Sequence, residues 1–177
     1  ARHPERDAPV LAALDPRVAD VTRRNLTACR ELLALSSGRA PGDTLPAWRI
    51  VDPLPPGQLR AFYAEAEARF GVPWTVLAAV NLVETRMGRI VGLSDAGAQG
   101  PMQFMPATWA RYGLGGDVSD PHDAILGAAH YLRANGAASG TDAGLDRALY
   151  RYNNDMRYVR GVRAYASLMQ DDERSFL

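Results

Sequence analysis

From Leu59 to the C-terminus the sequence reads as one punctuated helical segment after another, and this run constrains the fold more than any other feature. "QLRAFYAEAEARF" closes at Gly71, "PWTVLAAVNLVETRMGR" follows Pro73, and Pro106 to Tyr112 forms a short helix. "DPHDAILGAAHYLRANG" carries a cap signal at each end, and "AGLDRALYRYN" and "DMRYVRGVRAYASLMQ" complete the chain. Alternating strand patterns are nearly absent and no internal repeat is found, so a mostly α fold is expected. An earlier helix starts with Asp15 as N-cap and Pro16 at the first helical position and runs to Leu35. Between Ser36 and Gln58, Pro41, Gly42, Pro46, Pro53, Pro55, Pro56 and Gly57 predict an extended connection. The expected organisation is an N-terminal helix with a Pro/Gly-rich arm over residues 1–52 and a helical domain over 53–177.

Composition excludes several classes. The 20 acidic residues balance the 20 basic ones, so no global field favours nucleic acid or an anionic membrane. A hydrophobic content of 47% suffices for a core in a chain of 177 residues. No window approaches the roughly 20 apolar residues of a membrane span. Cys29 stands alone, which rules out an intrachain disulfide, and "LTACREL" gives it a packing role. Among the three histidines, His3 lies in a tail, while His122 and His130 share a helix without a Cys or Glu at metal-ligand spacing. "GGDVSDPHD" lacks the alternating ligands and terminal Glu of a calcium loop. Neither a metal nor a cofactor is expected.

Glu84 is the residue out of place. On the helix after Pro73, the residues Pro73, Val76, Leu77, Val80, Val83 and Met87 gather on one stripe, and Glu84 falls inside it. A carboxylate on an apolar face costs several kcal/mol unless it is paired, protonated or open to a cleft. One reading is a buried ion pair with Arg86 or Arg89. The other is a general acid, because apolar surroundings raise a Glu pKa toward neutrality. About ten residues on, "SDAGAQGPMQFMPATW" offers Ser94, the Met102–Gln103 pair and backbone donors on a loop where Gly97 and Gly100 permit close approach. A hydroxyl and a neutral amide suit uncharged hydroxyl and acetamido groups, although local turn bonding would explain them as well. "ALYRYNNDMRYV" adds Tyr150, Tyr152, Asn153 and Tyr158, which at helical spacing can belong to the core or line a cleft.

Taken together, "VET" around Glu84, "SDAGAQGPMQFMPATW", "DPHDAILGAAHYL" and "ALYRYNN" resemble the lytic transglycosylase domain of the lysozyme-like superfamily. "GPMQFMPATW" resembles the membrane-bound lytic transglycosylase B type and its actinobacterial relatives. The resemblance covers about residues 59–165. It implies a mostly α, lysozyme-like (transglycosylase SLT) helical domain with a substrate cleft, acting on peptidoglycan glycan strands. By the same resemblance Glu84 corresponds to the catalytic acid, and Ser94, Met102, Gln103, Tyr152, Asn153 and Tyr158 to the substrate-binding positions. Thr85 stands where many members carry Ser and keeps the hydroxyl.

The family chemistry needs one carboxyl group, whereas hydrolytic glycosidases generally use two. Asp95, Asp117, Asp120, Asp123 and Asp155 all sit in turn-like or capping contexts. Two alternatives stay open: a goose-type hydrolytic lysozyme in which Asp95 or Asp155 activates water, and an inactive peptidoglycan-binding module. The resemblance further implies a monomer with no nucleic-acid partner, with cell-wall remodelling proteins left open as partners. It implies work outside the cytoplasmic membrane, with a signal or anchor removed ahead of Ala1.

Overall fold

The computed structural model describes residues 3–37 and 47–176. Eight α-helices are formed among the described residues: α1 (Asp7–Ala12), α2 (Pro16–Ser36), α3 (Pro56–Phe70), α4 (Trp74–Thr85), α5 (Pro106–Tyr112), α6 (Pro121–Ala134), α7 (Asp142–Tyr152) and α8 (Met156–Asp171). Their starts follow local chemistry. Asp15, Asp120, Thr141 and Asp155 each accept a backbone N–H of the first turn, at Arg17, Asp123, Gly144 and Arg157. Proline opens α2, α3, α5 and α6, where its missing N–H costs nothing. Pro56 therefore begins α3 within the stretch expected to be extended. The expected punctuation at Pro41, Gly42 and Pro46 lies outside the described residues.

The fold is organised around α4. Every residue from Thr75 to Asn81 is buried, because α3, α6 and α8 all pack against this one helix. A single apolar stripe was the expectation; burial all round replaces it, and the small Ala78 and Ala79 fill the side the stripe left open. Tyr63, Leu77, Val80, Ile125, Leu132, Leu149 and Val162 complete a continuous core.

The N-terminal segment lies on this core. Helix α2 packs along α8 in the most extensive helix pair among the described residues. The arm then returns as β1 (Arg49–Ile50), which pairs antiparallel with β2 (Ile90–Val91) in the register Arg49↔Val91 and Ile50↔Ile90. The Trp48 indole N–H donates to the Leu93 carbonyl at 2.9 Å, fixing the arm to the loop that follows α4.

Candidate active site

The end of α4 sets the position of Glu84. The sequence predicts a helix continuing toward Arg89, but α4 stops at Thr85 because Arg86 and Met87 both adopt left-handed backbone, with φ of 56° and 63°. Two successive non-glycine residues in that region are costly and persist only where the surroundings impose them. Glu84 thus occupies the last turn of a central helix, half-buried, at the helix end where a negative charge is least favoured.

Its single hydrogen-bond partner among the described residues is Tyr158, whose hydroxyl donates to Oε1 at 2.7 Å. No described arginine lies within ion-pair reach, so the paired alternative is not realised. Burial pushes the Glu84 carboxyl up to about 7, and the Tyr158 hydrogen bond opposes the rise only in part. Burial first, and the neighbouring Glu84 charge second, raise the Tyr158 and Tyr152 hydroxyls well above the ordinary phenol range. Both tyrosines therefore remain neutral donors. Their rings lie parallel, 6.4 Å apart at 5°.

The loop beside this pair is a tight hairpin. Gln99 and Phe104 exchange both backbone hydrogen bonds, at 2.9 and 2.8 Å, enclosing Gly100, Pro101, Met102 and Gln103. Gly100 has φ of 70°, and a Cβ there would stand 1.8 Å from the Val118 carbonyl oxygen, so only glycine fits. Three side chains hold the hairpin in place. Thr85 Oγ1 donates to the Pro101 carbonyl at 2.6 Å, the Asn81 amide reaches Met102 Sδ at 3.0 Å, and the Tyr152 hydroxyl donates to the Met102 carbonyl at 2.7 Å. Asn81 and Thr85 are one helical turn apart and wholly buried. Sequence reasoning passed over this role for them, although a buried amide and hydroxyl at i and i+4 in "NLVET" signal a polar tether on one face.

The sequence-derived candidates divide accordingly. Glu84, Tyr158, Tyr152 and the Met102–Gln103 backbone come together. The Met102 side chain is fully buried in the core, so only its carbonyl takes part. Gln103 is half-buried with φ of 51°, and its amide nitrogen donates to the Gly100 carbonyl at 2.9 Å. Asn153 ends α7 with its backbone N–H on Leu149. Ser94 makes its contacts within its own turn, Oγ accepting from the Ala98 N–H at 2.9 Å.

Grooves open on either side of the hairpin. One, of about 560 Å³, runs between Gly100, Pro101, Gly88, Gly92 and the arm at Val51 to Leu54. The other, of about 180 Å³, is lined by Gln103, Phe104, Thr108, Tyr131, Arg151 and Tyr152.

Of the two aspartates that the hydrolytic alternative would use, one is paired and the other is exposed. Both oxygens of Asp155 accept from the Arg157 guanidinium, which holds this carboxyl down at about 2. Asp95 is an exposed loop residue. Asp120, His122 and Asp123 cluster closely enough to share an ion. Their groups are already engaged, however: Asp120 caps α6, His122 Nε2 meets Glu65 at 2.9 Å, and Asp123 accepts the Asp117 N–H.

Residues 62–172 match the family model of the transglycosylase SLT domain. The chain is 30% identical over 122 residues to a membrane-bound lytic murein transglycosylase F of Thiobacillus denitrificans, covering 67% of this chain and 26% of that protein's length. The fold is similar to that of the Escherichia coli lytic transglycosylase Slt35 solved with bulgecin A, with a TM-score of 0.56, 18% identity, and coverage of 80% of this chain and 83% of that one. The same enzyme solved with calcium aligns with a TM-score of 0.52 at 18% identity, over 68% and 76% of the two chains. The mostly α, lysozyme-like fold expected from the sequence is thereby shown.

Two outcomes follow from this geometry. Thr85→Val removes the shorter of the two hydrogen bonds to the buried Pro101 carbonyl, leaving the Asn81 amide at 3.4 Å, and should cost about 1–3 kcal/mol in urea unfolding, while Thr85→Ser stays within a fraction of that; equal losses for the two variants would remove the tether. The second concerns Glu84. A carboxyl raised from 4.5 to about 7 keeps its proton in the folded state where the unfolded chain has lost it. Its stabilising contribution is thus complete below pH 4.5 and is lost as pH rises through 7. Relative to wild type, Glu84→Gln should gain on the order of 2–3 kcal/mol between pH 4 and pH 8. A difference that does not change with pH contradicts the assignment.

Proposed function

Since the chain belongs to the transglycosylase SLT domain family, we propose that it is a peptidoglycan lytic transglycosylase. In this reading it cleaves the bond between N-acetylmuramic acid and N-acetylglucosamine and leaves a 1,6-anhydro muramoyl end. The observation that carries the reading is Glu84, a carboxyl group raised to about 7 by burial and held by a neutral tyrosine, with no second carboxylate acting on it among the described residues.

The chemistry needs a group that is an acid in one step and a base in the next. Protonated Glu84 gives its proton to the glycosidic oxygen as the C1–O bond breaks. The substrate's own acetamido group supports the positive charge at C1. Glu84, now a carboxylate, removes the proton from the muramoyl C6 hydroxyl while that oxygen bonds to C1. The acid is regenerated and no water is consumed. A pKa near 7 suits both roles, since neither protonation state lies far from reach at neutral pH. Tyr158 occupies Oε1 throughout and leaves Oε2 for the substrate. Holding the C6 hydroxyl in line is a proximity effect, which we assign to Gln103, Asn153, Ser94, Tyr152 and the Met102 carbonyl; of these, Gln103 and Tyr152 line the smaller groove. The hydrolytic alternative gains no support from Asp155, whose oxygens are taken by Arg157.

The chain spans about a quarter of the curated relative it matches. No described helix is long and apolar enough to cross a membrane. Action on the cell wall places the domain outside the cytoplasmic membrane in this reading.

The test is mass spectrometry of soluble products from purified sacculi. Wild type should release muropeptides lighter by one water than the reducing-end products, and Glu84→Gln should lower the rate by a factor on the order of 10²–10⁴. Because the protonated form starts the reaction, the wild-type rate should fall as pH rises through about 7. Reducing ends would replace the reading with hydrolysis. Binding of sacculi without release would replace it with a binding module.

A further inference from the structure

Helix α2 lies outside the residues that match the family model, yet it grips the helix that delivers Tyr158 to Glu84. Tyr158 is the third residue of α8, in a first turn whose N–H groups have no partner within the helix and must be fixed from outside. Asp155 supplies part of that, accepting the Arg157 backbone N–H at 2.7 Å. Helix α2 holds the side chains of the same turn. The Arg157 guanidinium spans Asp155 and the Ala34 carbonyl, reaching the latter at 2.6 Å at the C-terminal end of α2, where a cation is favoured. Arg160 binds Glu31 through two parallel bonds of 2.8 Å, the forked geometry that adds direction as well as attraction. Farther along, Arg24 of α2 meets Ser167 and Asp171. Between these contacts Gly161 lets Leu32 rest against the α8 backbone; a Cβ there would stand 3.0 Å from the leucine.

Arg157, Arg160, Ser167 and Asp171 form one stripe of α8 facing α2. The turn of helix between the first two presents Tyr158 inward to Glu84. Resting on the reading of Glu84 as the catalytic acid, we propose that α2 is a positioning element of the active site. By holding Arg157 and Arg160 through Ala34 and Glu31, it fixes the first turn of α8 so that the Tyr158 hydroxyl meets Glu84. Glu31, Arg157 and Arg160 act through Tyr158 and do not touch substrate.

The test is a double-mutant cycle on the full chain, read as the alkaline midpoint and kcat of anhydro-product release. Glu31→Arg sets two cations against each other at the α2–α8 contact and loosens the first turn of α8. With the Tyr158 hydrogen bond weakened, the Glu84 carboxylate loses its stabilising donor. The alkaline midpoint should then move up by roughly half a unit or more, while kcat falls on the order of tenfold. The added positive charge by itself would move the midpoint down, so the direction separates the two effects. The groups facing Glu84 are Tyr158 of α8 and Tyr152 of α7, and neither is altered by this substitution. The swap of Glu31→Arg with Arg160→Glu should restore both values. In a Tyr158→Phe background, Glu31→Arg should move the midpoint no further. An unmoved midpoint in Glu31→Arg, or an equal shift with and without the Tyr158 hydroxyl, overturns the proposal while the enzyme reading stands. A wild type that releases no anhydro product, or a fully active Glu84→Gln, overturns the enzyme reading and the proposal with it.

Discussion

The hydrogen bond from Tyr158 to Glu84 joins the two parts of the molecule on which the rest depends. One is α4, buried on every side, which carries a carboxyl group to the end of an apolar helix. The other is α8, which brings a neutral phenol to meet it. A carboxylate left alone in that position would cost several kcal/mol; a proton and one donor make it tolerable. The same burial that endangers stability also raises the group to about 7, where it can give and recover a proton. Structural cost and chemical capability arise here from one placement, as is usual where active sites run against folding rules.

The hairpin at Gly100 to Gln103 shows how a loop beside the Tyr152–Tyr158 pair is held without a helix or extended strand of its own. Its backbone is set by glycine at Gly100 and by an unfavourable conformation at Gln103. Its carbonyls are then taken by Thr85 and Tyr152, from the helices α4 and α7. Thr85, the residue after Glu84 in sequence, therefore also holds this loop, so the carboxyl group and the hairpin share one support.

Much of this was legible because it is local. Caps at Asp15, Asp120 and Asp155, prolines at helix starts and the stop at Gly71 are decided within a few residues, and the helices fall where those signals put them. Glu84 stood out in sequence because a charge interrupts an apolar pattern, even though the single stripe behind that reasoning proved to be burial on all sides. The early end of α4 was not legible, since Arg86 and Met87 take left-handed backbone that no propensity suggests and only the packed surroundings hold. The fate of Met102 was hidden for a related reason: an apolar side chain in a loop can turn to the core or to a ligand, and here the buried amide of Asn81 is beside it in the core. The pairing of α2 with α8 joins residues more than a hundred positions apart, as in Arg160 with Glu31, and no short-range pattern announces it.

The central claim is that Glu84 is a lone acid poised near neutrality, and the most direct measurement is its own titration. With glutamate labelled by carbon-13 at the carboxyl group, and the Glu84 signal identified by its loss in Glu84→Gln, the chemical shift is followed from pH 3 to pH 9. The account predicts a midpoint near 7 for that one carboxyl group. A midpoint near the ordinary 4.5 would mean an ionised side chain at neutral pH, and the single-acid mechanism would lose its basis.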